Sequence, residues 1–481
     1  MTHYESVIGL EVHAQIHTNA KMFCGCPVVE DTGDLEPNTY VCPVCTAMPG
    51  ALPVVNQRAV EIAVQTGLAL HCDIPPVNRF ARKSYFYPDL PKGYQISQYA
   101  LPLAVGGHLT IDVDGIEREV RILRAHLEED AGKLYHEDGF TKVDLNRAGV
   151  PLLEIVSEPD MRSAEEARAY GETLRQILVY LGVNSGNMER GVMRFEANVS
   201  VRPVGSEEMG ERHEVKNLNS FRALYESVSY EIGHQISVLE NGGTIEPQTM
   251  GWNEVEGVTV PQRGKEFAPD YRYFPEPDIP PLEISREKVD QLRAQLPELP
   301  QAKLARFQEE YGLSSYDANL LVSEREVAEY FEEVVRAGPA PKEAANWITG
   351  ELFRLIKTAE RPIDEIDVPP DELAALITLV EEGTINQSTG KDVLGEMFGS
   401  GRAAQTIVKE QGLAQISDAS RMRAIVTQVL DQNPEQVAEY LEGKEQVLGW
   451  FIGRIMRATR GKANPQLARD LLKDQLEARR G

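Results

Sequence analysis

Glu11 and His13 stand two residues apart in the segment Val7-Ile8-Gly9-Leu10-Glu11-Val12-His13-Ala14-Gln15-Ile16-His17. Residues two apart share one face of a strand. Ile8, Leu10, Val12, Ala14 and Ile16 therefore make an apolar back, and Gly9, Glu11, His13, Gln15 and His17 a polar front. Such a front can hold a divalent cation or move protons. It can equally be the solvated side of a half-exposed strand. Other carboxylates bear on the choice. Residues 192–202 alternate in the same way and set Arg194, Glu196, Asn198, Ser200 and Arg202 on one face. Glu154 interrupts the apolar run 152–156, where an ionised carboxylate is costly without a metal, a cation or a proton. Residues 122–127 lead into Glu128-Glu129-Asp130, and Glu214 stands near Lys216. Glu and His ligands suit Mg²⁺ or Mn²⁺, the His tilting the balance toward Mn²⁺. Sites of that kind commonly work on phosphates, for which Arg82, Lys83, Arg147, Arg194 and Lys216 supply cations. Asp130-Ala131-Gly132-Lys133 lacks the glycine spacing and the Ser/Thr of a phosphate loop.

Four of the five cysteines form two short-spaced pairs, Cys24-Gly-Cys26 and Cys42-Pro-Val-Cys45. Cys24, Cys26, Cys42 and Cys45 suit a tetrahedral thiolate zinc site, structural because it leaves no open position. Two disulfides are the alternative, but bridges within such close pairs would be strained. Cys72, standing alone, reads as a small buried residue rather than a nucleophile.

These residues need elements to hold them. At 481 residues the chain calls for two to four domains. Residues 1 to about 280 read as strands with two strong helices. One opens at the capping box Ser163-Ala164-Glu165-Glu166 and runs to about Leu181; the other spans Phe221 to Glu240 and stops at Asn241-Gly242-Gly243. Pro275, Pro277, Pro280, Pro281, Pro297 and Pro300 mark a boundary, and helical periodicity follows it. There Ser323-Glu324-Arg325-Glu326 reads as another capping box, and Gly399-Ser400-Gly401 as a flexible joint. Asn433-Pro434 and Asn464-Pro465 each pair an N-cap with Pro at the first helical position.

The net charge of −26 argues against nucleic acid as a partner, but its distribution does not. Residues 405–481 hold 12 Lys and Arg against 10 Asp and Glu, and residues 450–481 hold 8 against 3. Arg454, Arg457 and Arg460 share one helix face near Gly461, with Lys462 beyond it. A solvated helix face is the plainer explanation of these charges. No apolar run approaches a membrane span, and no signal or transit peptide is visible, so the expected location is cytoplasmic with no membrane partner.

Several long segments carry a resemblance. They include 7–13, Tyr85-Phe86-Tyr87-Pro88-Asp89, Tyr94-Gln95-Ile96-Ser97-Gln98, 126–133, Val143-Asp144-Leu145-Asn146-Arg147, 154–160, Lys216-Asn217-Leu218-Asn219-Ser220 and 270–278. In order and spacing the chain resembles, over its full length, the B-subunit (GatB) family of aspartyl/glutamyl-tRNA amidotransferases. The resemblance implies an α+β fold. An antiparallel-sheet catalytic cradle (1–293) would carry the four-cysteine zinc knuckle. An all-α helical domain (294–404) and a small all-α YqeY-like tail that binds tRNA (405–481) would follow. It also implies ATP-dependent conversion of Glu-tRNA(Gln) or Asp-tRNA(Asn) to Gln-tRNA(Gln) or Asn-tRNA(Asn). The substrate carboxylate becomes an acyl phosphate, which ammonia attacks. Ammonia is channelled from a glutaminase partner, the amidase A-subunit, in a heterotrimer completed by a small C-subunit. One Mg²⁺ site would use His13, Glu129 and Glu154. A second, weaker site would use Glu11, Glu196 and Glu214, with Glu196 where the family commonly has Asp. Which of Glu128 and Glu129 points inward depends on register, and the resemblance favours Glu129. Arg82, Lys83, Ser84, Tyr85, Arg147 and Lys216 are the expected ATP contacts. Arg454, Arg457, Arg460 and Lys462 are the expected tRNA contacts. The alternatives are a non-catalytic zinc-containing tRNA adaptor and a self-sufficient glutaminase; the chain has no Gly-Ser-Ser-Gly amidase signature.

Overall fold

The structure, a computed structural model, describes residues 3–29, 35–262, 270–415, 419–459 and 462–479. The chain divides into two compact units, Met1–Pro300 and Gln301–Gly481.

The first unit is built on a nine-stranded sheet among the described residues. Its centre comprises β1 (Tyr4–Gln15), β2 (Ile116–Glu129), β3 (Pro151–Ser157), β4 (Met193–Pro203) and β5 (His213–Leu218). Their order across the sheet is β5-β4-β1-β3-β2. All four of these pairings are antiparallel. The sheet is nonetheless mixed, because β5 pairs in parallel with Gln248–Asn253. This parallel pairing is a local departure from the antiparallel-sheet expectation, which the other central pairings meet. The long helix Phe221–Glu240 separates those two strands and brings the chain back to enter in the same direction.

Alternation decides which side of the sheet is buried. Ile8, Leu10, Val12 and Ala14 belong to the core, as do Phe195, Ala197 and Val199 of β4. Helix α1 (Ala164–Tyr180) and helix α2 (Phe221–Glu240) bury Tyr170, Leu174, Ile177, Leu178, Leu224 and Val228 in the same core. Each such side chain contributes roughly 1.5–3 kcal/mol of transfer free energy. Gly171 allows the close approach: a Cβ there would lie 3.2 Å from both Phe195 and Phe221. Ser163 caps α1 by accepting the Glu166 amide, and Ser220 caps α2 by accepting that of Ala223. With its back packed this way, the sheet leaves the polar front of β1 to face outward.

The second unit is helical. Helix Arg325–Arg336 begins after Glu324, with no side-chain cap. The capping box expected at Ser323 does not form, because the Ser323 hydroxyl turns back to the Leu320 carbonyl and closes the preceding helix. Nor is Gly399-Ser400-Gly401 a flexible joint. Helix Gln387–Ser400 runs through it and ends on Gly401, whose φ of 65° is the left-handed conformation that favours glycine. Asn464 caps Pro465–Ala478 by accepting from Gln466 and Leu467. Met422, Val426, Leu430, Phe451, Ile455, Leu472 and Leu476 form a core of their own among the last helices.

Candidate active site and metal centres

Register gathers the acids. His13 lies opposite Glu154, which lies opposite His126; Glu11 lies opposite Glu196, and Asn198 opposite Glu214. Directly opposed residues share a face, so five strands deliver one surface. His13 Nε2 stands 3.3 Å from Glu154 Oε2 and 3.6 Å from Glu128 Oε1, and His126 Nε2 is 3.5 Å from Glu154 Oε2. One ligand atom each from His13, Glu128 and Glu154 fall within 4.8 Å of one another.

The third member is thus Glu128, not Glu129. With Glu154 opposite His126, the even-numbered residues of β2 come forward and Glu129 turns to the other side. There Glu129 accepts the Ile96 amide at 2.9 Å and pairs with Lys92 at 2.7 Å.

Burial and mutual repulsion dominate the electrostatics of these acids. Burial, then the Glu154 charge, pushes the Glu128 carboxyl up to about 8. Burial works against ionised Glu154 too, but His126 and His13 outweigh it and hold this carboxyl well below its usual range. His13 rises to about 9: burial opposes the shift, and Glu154 and Glu128 prevail. Burial takes His126 down to about 4 despite Glu154. Two neighbouring carboxyls with pKa values driven apart are a recurring mark of reactive sites. Glu128 Oε2 and His126 Nδ1 are buried without a hydrogen-bond partner. Orphaned polar atoms beside an imidazole and two carboxylates fit an oxygen- and nitrogen-bound divalent cation.

Beside this group, carboxylate oxygens of Glu11, Glu196 and Glu214 also fall within 4.8 Å of one another. Asn198 donates to Glu11 at 3.0 Å, and the Thr249 hydroxyl to Glu214 at 3.1 Å. Burial, followed by the charges of Glu154, Glu196 and Glu214, raises the Glu11 carboxyl.

The expected phosphate contacts divide. Lys216 reaches Glu196 and Glu214, which keep its ammonium charged against the pull of burial. Lys83 lies 4.7 Å from the Tyr271 ring centre; burial opposes its charge, and Glu128 sustains it. Arg82 is committed elsewhere: it grips Glu276 with two hydrogen bonds, at 2.7 and 3.0 Å, and reaches Asp278. Neighbours on a strand point to opposite sides, so Arg82 and Lys83 cannot both face the acids. Arg147 spends its guanidinium on the Ala131 and Gly132 carbonyls. Ser84 and Tyr85 bond through their amides to Tyr271 and Gly93.

The four expected zinc ligands converge, with sulfurs mutually within 4.8 Å. All are free thiols; Cys42 and Cys45 sulfurs are 3.9 Å apart, far beyond a disulfide bond. The Cys24 thiol's hydrogen bond holds Cys45 down at about 4 against burial, with help from the Cys42 backbone and Lys21. Lys21 carries no sequence signal. It is fully buried and donates to the Tyr40 and Leu145 carbonyls, 3.8 Å from Cys45 Sγ. His126 is the other residue missed, though its two-residue spacing from Glu128 mirrors that of Glu11 and His13.

Arg454 and Arg457 are exposed on helix Val447–Ala458, where Phe451 and Ile455 point inward. Arg454 lies 5.0 Å over the Trp450 ring. The Lys462 ammonium bonds the Gly412 carbonyl. Arg460 lies outside the described residues.

Residues 6–290 match the family described as the GatB/GatE catalytic domain, and residues 329–476 match the GatB domain. The chain belongs to the GatB family. It is 53% identical over 477 residues to the aspartyl/glutamyl-tRNA(Asn/Gln) amidotransferase B-subunit of Moorella thermoacetica, covering 98% of this chain and 100% of that one. To the protein of the same description from Thermodesulfovibrio yellowstonii it is 52% identical over 470 residues, 98% of each chain. The Myxococcus xanthus relative is 51% identical over 475 residues, again 98% of each. As a GatB chain it serves tRNA-dependent transamidation, as one part of a multi-subunit, glutamine-hydrolysing ligase that acts in translation. That role implies partner subunits and tRNA. No described helix is long and apolar enough to cross a membrane.

Proposed function

We propose that the front of the sheet is where the substrate carboxylate of Glu-tRNA(Gln) or Asp-tRNA(Asn) is phosphorylated by ATP and then amidated. The convergence of His13, Glu128 and Glu154 beside Glu11, Glu196 and Glu214 carries this reading. The γ-phosphoryl group passes to the side-chain carboxylate and ADP leaves. Ammonia then attacks the acyl carbon and phosphate departs. A carboxylate is a poor electrophile, and the phosphoryl group supplies the leaving group it lacks. His13, Glu128 and Glu154 would hold one Mg²⁺ or Mn²⁺ ion, and Glu11, Glu196 and Glu214 a second. When bound, such ions neutralise the phosphate oxygens. Lys83 and Lys216 add fixed positive charge beside them.

The chain needs ammonia from outside. Cys72 is buried and its thiol is pushed up to about 12, chiefly by burial, so it is no glutaminase nucleophile. An amidase A-subunit is the proposed source, and a small C-subunit is proposed to complete the complex. The substrate, an aminoacyl-tRNA, makes the cytoplasm the proposed setting. Cys24, Cys26, Cys42 and Cys45 would bind structural Zn²⁺.

The test uses the purified complex, both misacylated tRNAs, and glutamine or ammonia, with and without ATP and Mg²⁺. Amidated tRNA is expected only with ATP and Mg²⁺, and ammonia should replace glutamine. Amidation without ATP would overturn the acyl-phosphate route.

The tail, 405–481, is proposed to bind tRNA through Arg454, Arg457, Arg460 and Lys462. The charge reversals Arg454→Glu and Arg457→Glu together should weaken tRNA binding about tenfold at low salt, less as salt rises. Filter binding across a salt series reads this, and unchanged affinity at low salt would exclude these contacts.

A further inference from the structure

Lys216 stands inside the second acidic group. Its Nζ lies 2.8 Å from Glu196 Oε2 and 3.0 Å from Glu214 Oε1. Local backbone geometry sets it there. The β4–β5 register shifts between Phe195 and Ala197, and Asn217 takes a φ of 60°, so the extra residue of a bulge follows Lys216. Ahead of that bulge, Glu214 and Lys216 are two residues apart and share a face, and the Ala197–Val215 register puts Lys216 beside Glu196. Two of the three carboxylates have other anchors, Asn198 on Glu11 and Thr249 on Glu214. Asn198 Oδ1 is also buried without a partner. The group is therefore partly formed without Lys216, and the ammonium stands among the oxygens that a divalent ion would use.

We propose that Lys216 is a tethered competitor for the second metal site: a divalent cation enters the Glu11, Glu196 and Glu214 group only by displacing its ammonium, which is thereby released to phosphate oxygens in the same cleft. This rests on reading that group as a metal site. One positive charge among three carboxylates satisfies them incompletely, so a doubly charged ion can replace it. It must first break two ion pairs whose side chains are 17 to 32% exposed, which makes the site weak without closing it. The flexible four-carbon stem of lysine lets the displaced ammonium move without a backbone change. Lys216 would then act twice, opposing the metal before exchange and favouring nucleotide after it.

The two roles predict opposite effects from one substitution. Mn²⁺ is titrated into the full-length chain without nucleotide, and free Mn²⁺ is followed by electron paramagnetic resonance. Lys216→Met should tighten the weaker class of sites about five- to tenfold and leave the tighter class unchanged. In the assembled complex the same variant should raise the KM for ATP. Lys216→Gln should repeat both effects, guarding against a folding defect peculiar to Met. Unchanged or weaker Mn²⁺ binding in both variants would overturn the competition. Glu11→Gln separates the two layers. Loss of the weaker class in Glu11→Gln, with no change in the Lys216 variants, removes the competitor role alone. Retention of both classes in Glu11→Gln removes the metal-site reading and the competitor with it.

Discussion

Glu128→Gln is expected to lower ATP-dependent amidation roughly 10²- to 10³-fold, the scale of losing one group that stabilises developing charge. The substitution keeps shape and volume but removes the ability to ionise. In the structure Glu128 shares its space with Glu154, His13 and His126, and its carboxyl is held up to about 8 by burial and by Glu154. A cation bound there would reverse that balance, stabilising both carboxylates and displacing the proton. A glutamine cannot follow. Glu129→Gln is the matched control, one residue along and on the other side of β2. Its partners are Lys92 and the Ile96 amide, so the loss should appear as reduced thermal stability and a much smaller fall in rate. Both variants are assayed with saturating ammonia in place of glutamine, so that only chemistry on the substrate carboxylate is read. A larger rate loss in Glu129→Gln than in Glu128→Gln would sink the assignment.

That pair marks where sequence reasoning stops. Alternation separates front from back within one strand, and Glu11, His13, Glu154 and Glu196 all take the expected side. It says nothing about where one strand sits against the next. In Glu128-Glu129-Asp130 a one-residue slip exchanges the inward acid. The β2–β3 pairing settles it through His126 opposite Glu154, a contact between residues 28 apart in the chain. The same limit explains Arg82 and Arg147. Their charge made both candidates for phosphate, but their partners Glu276 and Ala131 are brought close only by the fold.

Local signals held where the local chain decides and failed where neighbours compete. Ser163 and Ser220 cap their helices because an open N-terminus follows each. Ser323 has the same kind of sequence around it, but it ends one helix before it can begin another, and its hydroxyl goes to Leu320. Gly401 was legible as a conformational exception; whether as hinge or as helix cap depends on the turn before it. Lys21 shows the opposite case. Nothing about an isolated lysine at a strand exit announces full burial; its partners Tyr40 and Cys45 lie further along the same irregular segment, and Leu145 comes from a distant loop.

Lys21 leads to the other large expected effect, the collapse of residues 21–56 when zinc is withdrawn. Among the described residues, 16–56 contain no helix or strand, a length of chain that seldom holds a shape unaided. Hydrogen bonds tie it to the rest of the unit at several points, among them the Met22 amide to the Gly149 carbonyl, the Asn38 and Tyr40 amides to the Asp144 and Asn146 side chains, and Lys21 to the Leu145 carbonyl. The cysteine cluster is a further tie, joining the two ends of the segment, and structural zinc sites contribute about 10–16 kcal/mol of apparent binding free energy. Four thiolates and Zn²⁺ carry a net charge of −2, which the buried Lys21 ammonium partly offsets. Metal analysis is expected to give one zinc per chain. The double substitution Cys42→Ser with Cys45→Ser should abolish it, lower the thermal midpoint by roughly 5 °C or more, and open this segment to protease. Lys21→Met should retain zinc but release it faster to a chelator, since the thiolates lose their nearest positive charge. Because Asn56 also caps helix Gln57–Ala69, whose Ile62, Ala63 and Leu68 belong to the sheet's core, the damage should extend past the knuckle. Full zinc in the double variant, or an unaltered protease pattern after its loss, would show that the four cysteines do not hold this part of the fold together.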